Sequence, residues 1–180
     1  MKVIETRLPG VRIIEPKVHG DARGFFVESF QAERYRQEAG IELPFVQDNH
    51  SRSTRGVLRG LHAQQPRPQG KLVRVSRGEV FDVAVDINPG SKTFGQWVGA
   101  VLSDTNHRQL WVPPGYAHGF VVLSELADFE YKCTDYYLPA AEIGVIWNDP
   151  EVGIEWPVEN PRLSEKDLKL PTLAELRSRA

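Results

Sequence analysis

The sequence predicts a single, mainly β domain, a jelly roll with short helices added, and three observations carry that prediction. Glycine (15) and proline (13) recur as punctuation between short runs of Val, Ile, Phe, Trp and Tyr, the texture of strands joined by turns. The runs repeat at roughly the 8–12-residue spacing of an all-β sandwich or barrel. The clearest of them, Val80–Ile87, alternates throughout, with Phe81, Val83, Val85 and Ile87 on one face and Val80, Asp82, Ala84 and Asp86 on the other.

The elements follow in chain order. Val11–Glu15 and Gly24–Val27 read as the first strands, separated by a polar stretch from Lys17 to Asp21. Gln31–Ala39 is helical, with Gly40 placed as its C′ residue. Phe45–Ser51 is a strand carrying an unusually polar string, Gln47-Asp48-Asn49-His50. Val57–His62 and Lys71–Ser76 are strands on either side of a loop rich in Pro and Gln. Beyond Val80–Ile87, Asn88-Pro89-Gly90 turns the chain. Gln96–Leu102, Arg108–Val112, Gly119–Leu123 and Phe129–Asp135 continue the strand series. After Pro150 the pattern changes: Ser164-Glu165-Lys166-Asp167 and Thr172-Leu173-Ala174-Glu175 both have the form of capping boxes. Two short helices are therefore expected in the C-terminal segment, 163–180, packed outside the β-body. No repeat, linker or low-complexity tract divides residues 1–180. The run from Val3 to Ile14 is long and β-prone, and an open jelly roll has edges that must be covered.

Composition narrows the function classes. At 180 residues the chain can bury one substantial core without staples. A net charge of -2 and a pI near 6.2 provide no field for nucleic acid or anionic lipid. The single cysteine, Cys133, rules out an internal disulfide and fits a reducing compartment. No apolar run approaches the ~20 residues of a membrane span, and the first residues lack the apolar core of a signal peptide. The expectation is a cytoplasmic protein with neither membrane nor nucleic acid as partner.

The chemistry centres on Arg55–Arg74. His62 ends one strand and Lys71 opens the next, while Arg59 and Arg74 add fixed positive charge. An imidazole near a lysine and several arginines suits proton transfer on an anionic substrate. The same residues also fit a hairpin with a solvated, charged rim and His62 packed beside Leu61. The polar string from Gln47 to His50 favours a wet, charged cavity over a dry core.

Pro113-Pro114-Gly115-Tyr116-Ala117-His118 has the form Pro-x-Gly-x-x-His, the second motif of cupins, whose turn delivers a histidine into the barrel. Metal cupins carry His-x-His followed by Glu in the first motif; this chain has His62-Ala63-Gln64 there. Two imidazoles fall short of the three N/O ligands a metal needs, so no metal is expected and His118 reads as a hydrogen-bonding or phosphate-binding residue. By alternation Tyr131 shares a face with Phe129 and Cys133. Its hydroxyl is either a proton donor aimed into a cavity or a satisfied group in the core. Asp167, three residues after Ser164, also fits a helix N-terminus.

Over essentially its full length the chain resembles the dTDP-4-dehydrorhamnose 3,5-epimerase family, enzymes with the cupin fold. The resemblance rests on Gly20-Asp21-x-Arg23-Gly24-Phe25-Phe26, Phe45–Ser51, Gly56–His62, Gly70–Arg74, Gly78–Asp86, Pro114–Phe120, Tyr131-Lys132, Asp135-Tyr136-Tyr137 and Ser164–Asp167. It implies a cupin-type jelly roll that epimerises dTDP-4-keto-6-deoxyglucose at C3 and C5 without a cofactor, as a homodimer, in rhamnose biosynthesis. His62 would be the base, Asp167 its orienting partner, Lys71 the group that stabilises the enolate and Tyr131 the acid on the opposite face. Arg23, Glu28, Gln47, Asn49, Arg59, His118 and Glu142 would contact substrate, mostly its nucleotide and pyrophosphate. The loop Gln64–Gln69 is slightly shorter than the family's commonest form. Competing expectations on the same scaffold are a single-site 3- or 5-epimerase, a 3,4-ketoisomerase, and a cupin that only binds a nucleotide sugar.

Overall fold

Residues 1–178 are described by the computed structural model, in which two antiparallel sheets face each other across an apolar core. One sheet has six strands in the order β1 (Lys2–Glu5), β2 (Arg12–Glu15), β10 (Gln109–Val112), β7 (Lys71–Arg77), β12 (Leu126–Cys133), β5 (Gln47–Thr54). The other has five: β13 (Glu142–Gly144), β6 (Leu58–Gln64), β11 (Tyr116–Val122), β8 (Glu79–Asp86) and β9 (Trp97–Ser103). A separate hairpin joins β3 (Val18–Asp21) to β4 (Gly24–Val27). The mainly β class is as expected, and the N-terminal run forms the β1 edge of the larger sheet.

Alternation decides what lies between the sheets. Val80 and Ala84 of β8 point inward with Val73 and Val75 of β7, Phe120 and Val122 of β11, and Ala127 and Phe129 of β12. Phe120 and Phe129 stack across the gap with ring centroids 3.9 Å apart. The opposite face of β8, with Val83 and Val85, packs beneath Val145, Val152, Trp156 and Leu173. A third cluster seats α1 (Ala32–Ala39) on the outside of the larger sheet, where Tyr35 and Ala39 cover Ile14, Leu72 and Trp111. Gly40 closes α1 as its sequence predicts, and Gln31, expected inside the helix, is its N-cap. The Gln31 side chain accepts from Arg34 N–H, and Gly40 (φ 61) donates its N–H to the Tyr35 carbonyl.

Two glycines bring the catalytic strands together. A Cβ on Gly60 (φ +117) would lie 2.7 Å from the His118 carbonyl oxygen, and one on Gly119 would lie 2.6 Å from that of Arg59. Side chains at either position would force β6 and β11 apart. Their close approach places His62 directly opposite His118, just before the register shifts between His118 and Phe120. Gly119 is therefore interior to a strand that starts at Tyr116, not the start of one.

The C-terminal segment departs from expectation. Thr172 begins a complete capping box, exchanging hydrogen bonds with Glu175, and α2 (Leu173–Ser178) follows. Ser164 also caps, its Oγ accepting from the Asp167 N–H at 3.1 Å, yet only a 3-10 turn forms over Asp167–Lys169. Pro171 stops it, because the residue before a proline is driven out of the helical region and Leu170 is extended (ψ 145). Residues 179–180 of the expected helical segment lie outside the described residues.

Candidate active site

Two adjoining lobes, of about 610 and 360 Å³, open between the sheets and share Asn49, His62, Lys71 and Tyr131 as lining. The larger lobe adds Arg59, His118, Phe129 and Asp167; the smaller adds Gln47, Cys133, Tyr137 and Glu142. Nine of the eleven residues that the family resemblance assigns to the site thus converge on one cavity. Their strands come from opposite walls: His62 and His118 from the five-stranded sheet, Lys71, Asn49 and Tyr131 from the six-stranded one.

His62 sits at the junction, its side chain about one-third exposed, with Nε2 2.7 Å from Asp167 Oδ1. Asp167 is buried, and burial alone would raise its pKa. The hydrogen bond and charge of His62, the Gly60 N–H at 3.3 Å and Ser164 outweigh that and hold it below the usual carboxylate value. Asp167 is thus bound to a ring nitrogen as well as lying at the start of its 3-10 turn. His118 forms a second dyad: its Nε2 lies 2.9 Å from each oxygen of Asp82, which is fully buried.

Lys71 is desolvated, and burial pulls its pKa down against the opposing influence of Cys133, Glu142 and Asp82. Its ammonium makes one long contact, donating to the His62 carbonyl at 3.4 Å. Tyr131 lies on the same six-stranded wall as Lys71, across the cavity from His62, where burial raises its phenol and keeps it in the neutral, proton-donating form. Arg59 donates from Nε to Ser53 Oγ at 3.0 Å, and its terminal nitrogens have no partner among the described residues. A cation of this kind in a cavity wall suits a phosphate.

At the mouth of the smaller lobe Glu142 is already engaged: Tyr137 donates to its Oε2 at 2.7 Å and Lys166 lies 2.6 Å from its Oε1. Gln47 accepts from the Tyr137 N–H at 2.9 Å and donates to Asn49 Oδ1 at 3.0 Å. Lys166 and Asp82 were not singled out in the sequence. The signal for Asp82 was present, since it interrupts the apolar inward face of β8; Lys166 carried none beyond its place beside Asp167.

Three residues fall outside this cavity. Arg74 is on the outer face of its strand, paired with Glu130 at 2.6 Å, because alternation from inward-facing Lys71 and Val73 turns it away. Arg23 pairs with Asp21 on the β3–β4 hairpin, and Glu28 pairs with Arg34 at 2.8 Å; neither lines either lobe. Among the described residues no group of three or more His, Cys, Asp or Glu side chains is placed to hold a metal ion.

Known proteins share both the sequence and the frame. Residues 5–175 match the dTDP-4-dehydrorhamnose 3,5-epimerase family profile. The dTDP-4-dehydrorhamnose 3,5-epimerase of Shigella flexneri is 58% identical over 169 residues, covering 93% of each chain. The crystal structure of a dTDP-6-deoxy-D-glucose-3,5-epimerase from Legionella pneumophila, in complex with dTDP-4-keto-L-rhamnose, superposes with a TM-score of 0.93. It is 58% identical and covers 97% of this chain and 96% of its own. The Mycobacterium tuberculosis epimerase superposes with a TM-score of 0.95 at 40% identity, covering 99% of this chain and 92% of its own. With the profile spanning nearly the whole sequence and relatives this similar over their full length, the chain belongs to the dTDP-4-dehydrorhamnose 3,5-epimerase family.

Proposed function

We propose that the cavity binds dTDP-4-dehydro-6-deoxy-D-glucose and inverts C3 and C5 to give dTDP-4-dehydro-L-rhamnose, for rhamnose biosynthesis in the cytoplasm. The observation that carries this reading is the placement of a carboxylate-held imidazole and a phenol on opposite walls, with a half-buried lysine on the wall of the phenol. C3 and C5 flank the C4 ketone, so their protons are the acidic ones. His62 removes each in turn, with Asp167 fixing its ring. Charge then develops on the C4 oxygen, where the Lys71 ammonium stabilises it; donors aimed at such an oxygen typically contribute ~3–4 kcal/mol. Tyr131 returns a proton from the other wall. Arg59 and His118 line the larger lobe beside this centre and are assigned to the diphosphate, whose oxygens suit a guanidinium fork. Gln47, Asn49 and Glu142 then contact substrate from the smaller lobe, Glu142 after exchanging its present partners. Incubation in D2O tests the reading: NMR should show deuterium entering at both C3 and C5. Uptake at one carbon only would make the chain a single-site epimerase.

No step needs an electron acceptor or a Lewis acid, and both cavity histidines already have Nε2 engaged by a carboxylate. Exhaustive chelation should therefore leave turnover unchanged. Loss of activity with recovery on adding zinc or manganese would refute a metal-independent mechanism.

A homodimer gives Arg23 and Glu28 a role. They lie on either side of Phe25 and Phe26, which are 62% and 69% exposed on the β3–β4 hairpin, an unusual cost for a monomer, and β5 leaves one edge of the larger sheet unpaired. In the proposed two-fold dimer the N-terminal strands and this hairpin cross to the partner, and Arg23 and Glu28 of each protomer serve the other's cavity. Sedimentation at micromolar concentration should give a dimer, and Phe25→Ser/Phe26→Ser should weaken both assembly and substrate affinity. A wild-type monomer would end the proposal.

A further inference from the structure

Gln64 is a buried polar side chain of the cavity wall that the mechanism leaves without a role. It ends β6 two residues after His62, on the same face of the strand, and is 4% exposed. A buried amide persists where its donors and its acceptor are met. Here all are: Nε2 donates to the Arg67 carbonyl at 2.6 Å and to the Tyr136 carbonyl at 3.2 Å, and Oε1 accepts from the Leu138 N–H at 2.8 Å. The partners fix which way the amide faces, since a carbonyl accepts and an N–H donates.

Two of those three bonds flank a single residue, Tyr137. Residues 135–138 run without regular structure between β12 and a 3-10 turn over Pro139–Ala141, and Tyr137 is 46% exposed where it lines the smaller lobe. A segment of that kind has little packing to hold it. Gln64 holds it at the carbonyl before Tyr137 and at the N–H after it, while Gln47 takes the Tyr137 N–H itself. The third bond ties in the loop from β6 to β7 at Arg67, whose side chain pairs with Asp135, and Gln69 donates to the Asp135 carbonyl at 2.7 Å. Gln64 is also the register partner of Glu142 across β6 and β13, and the Tyr137 hydroxyl donates to that carboxylate.

We infer that Gln64 is a positioning residue for substrate binding: its one amide sets the peptide on either side of Tyr137 and so fixes the rim of the smaller lobe. This rests on the reading of that lobe as contacting substrate. In that reading Glu142 exchanges Tyr137 and Lys166 for the substrate. With the backbone of the rim already fixed, the exchange needs only side chains to turn, and no segment has to be ordered when substrate arrives. None of the three bonds involves His62, Lys71 or Tyr131, so the proton transfers themselves do not depend on Gln64.

The test is Gln64→Leu, similar in size and without an amide. Releasing the rim should raise KM on the order of tenfold, with kcat and deuterium uptake at saturating substrate held within about twofold. The Kd for dTDP-glucose, which lacks the ketone and cannot react, should rise by the same factor in calorimetry. The effect should run through Tyr137. Tyr137→Ala should itself raise KM, and adding Gln64→Leu to it should raise KM little further, because residues that act through one another are not additive. An unchanged KM in Gln64→Leu, or full additivity in the double variant, would assign Gln64 a packing role and overturn the inference. A fall in kcat at unchanged KM would overturn it too. Wild-type protein provides a second route that needs no variant to fold. The Gln64 side-chain amide protons and the Leu138 N–H should exchange with D2O far more slowly than solvated amides; exchange at the solvated rate would overturn the inference. Wild type that binds dTDP-glucose but exchanges no proton at C3 or C5 would instead remove the epimerase reading, and the Kd comparison would still decide the role of Gln64.

Discussion

His62→Ala should abolish deuterium uptake at C3 and at C5 together. One imidazole stands at the junction of the two lobes, within the wall opposite Tyr131, and both acidic carbons of the sugar must present themselves to it. Loss of a positioned general base costs about 10²–10⁴-fold, and no other group in the cavity is equipped to replace it. His118 is the nearest imidazole, cross-strand from His62, but its Nε2 is engaged by Asp82 on the inner wall. Asp167→Asn should be milder than His62→Ala, retaining weak activity. The amide can still hold the ring, yet it no longer favours the tautomer that leaves the cavity-facing nitrogen free to accept a proton. The sign with pH follows from the carboxylate's depressed pKa. Its support for His62 is present above the ordinary carboxylate pKa and is lost only as the pH falls through the lower, folded-state value. NMR in D2O reads both variants directly. Normal exchange at either carbon in His62→Ala would place the base elsewhere.

The fold was readable where local chemistry and tertiary packing agree. The alternation of Val80–Ile87 separates the two faces that become the inner core and the Trp156-covered outer cluster. The helix ending at Gly40 is likewise as its cap residue dictates. Readings failed where a local signal was overruled by something distant in sequence. Ser164 caps a turn that Pro171 then prevents from becoming an α-helix. Gly119 looks like a boundary only because the reason for it, the approach of β6, lies some sixty residues earlier.

The site divides in the same way. Period-2 alternation is enough to put Phe129, Tyr131 and Cys133 on one wall and, applied to β7, to turn Arg74 outward. It cannot bring Asp167 to His62, a contact spanning 105 residues; that pairing was expected only from the family resemblance. Arg23 and Glu28 came from the same source, and a single protomer does not place them at the cavity. Asp82 shows the converse. Its position inside an apolar strand was visible, but its partner, the His118 ring on the neighbouring strand, was not.

Tyr131→Phe should separate removing a proton from inverting a centre. The base, the half-buried ammonium and the cationic lining all remain, so the enolate still forms. What is lost is the donor on the six-stranded wall, whose phenol burial holds protonated. His62 can then return a proton only to the face from which it came. The expected result is deuterium uptake with little net epimerisation, and inversion should fall by about 10²-fold or more, the scale of a lost general acid. KM should change little, because the hydroxyl acts in the transition state and not on the nucleotide. Water entering the space left by the hydroxyl would support slow residual inversion. Tyr137 is poorly placed to take over, since its hydroxyl is donated to Glu142 at 2.7 Å. Inversion of both centres at the wild-type rate in Tyr131→Phe would return Tyr131 to the core and leave the acid to be found among Tyr137 and His118.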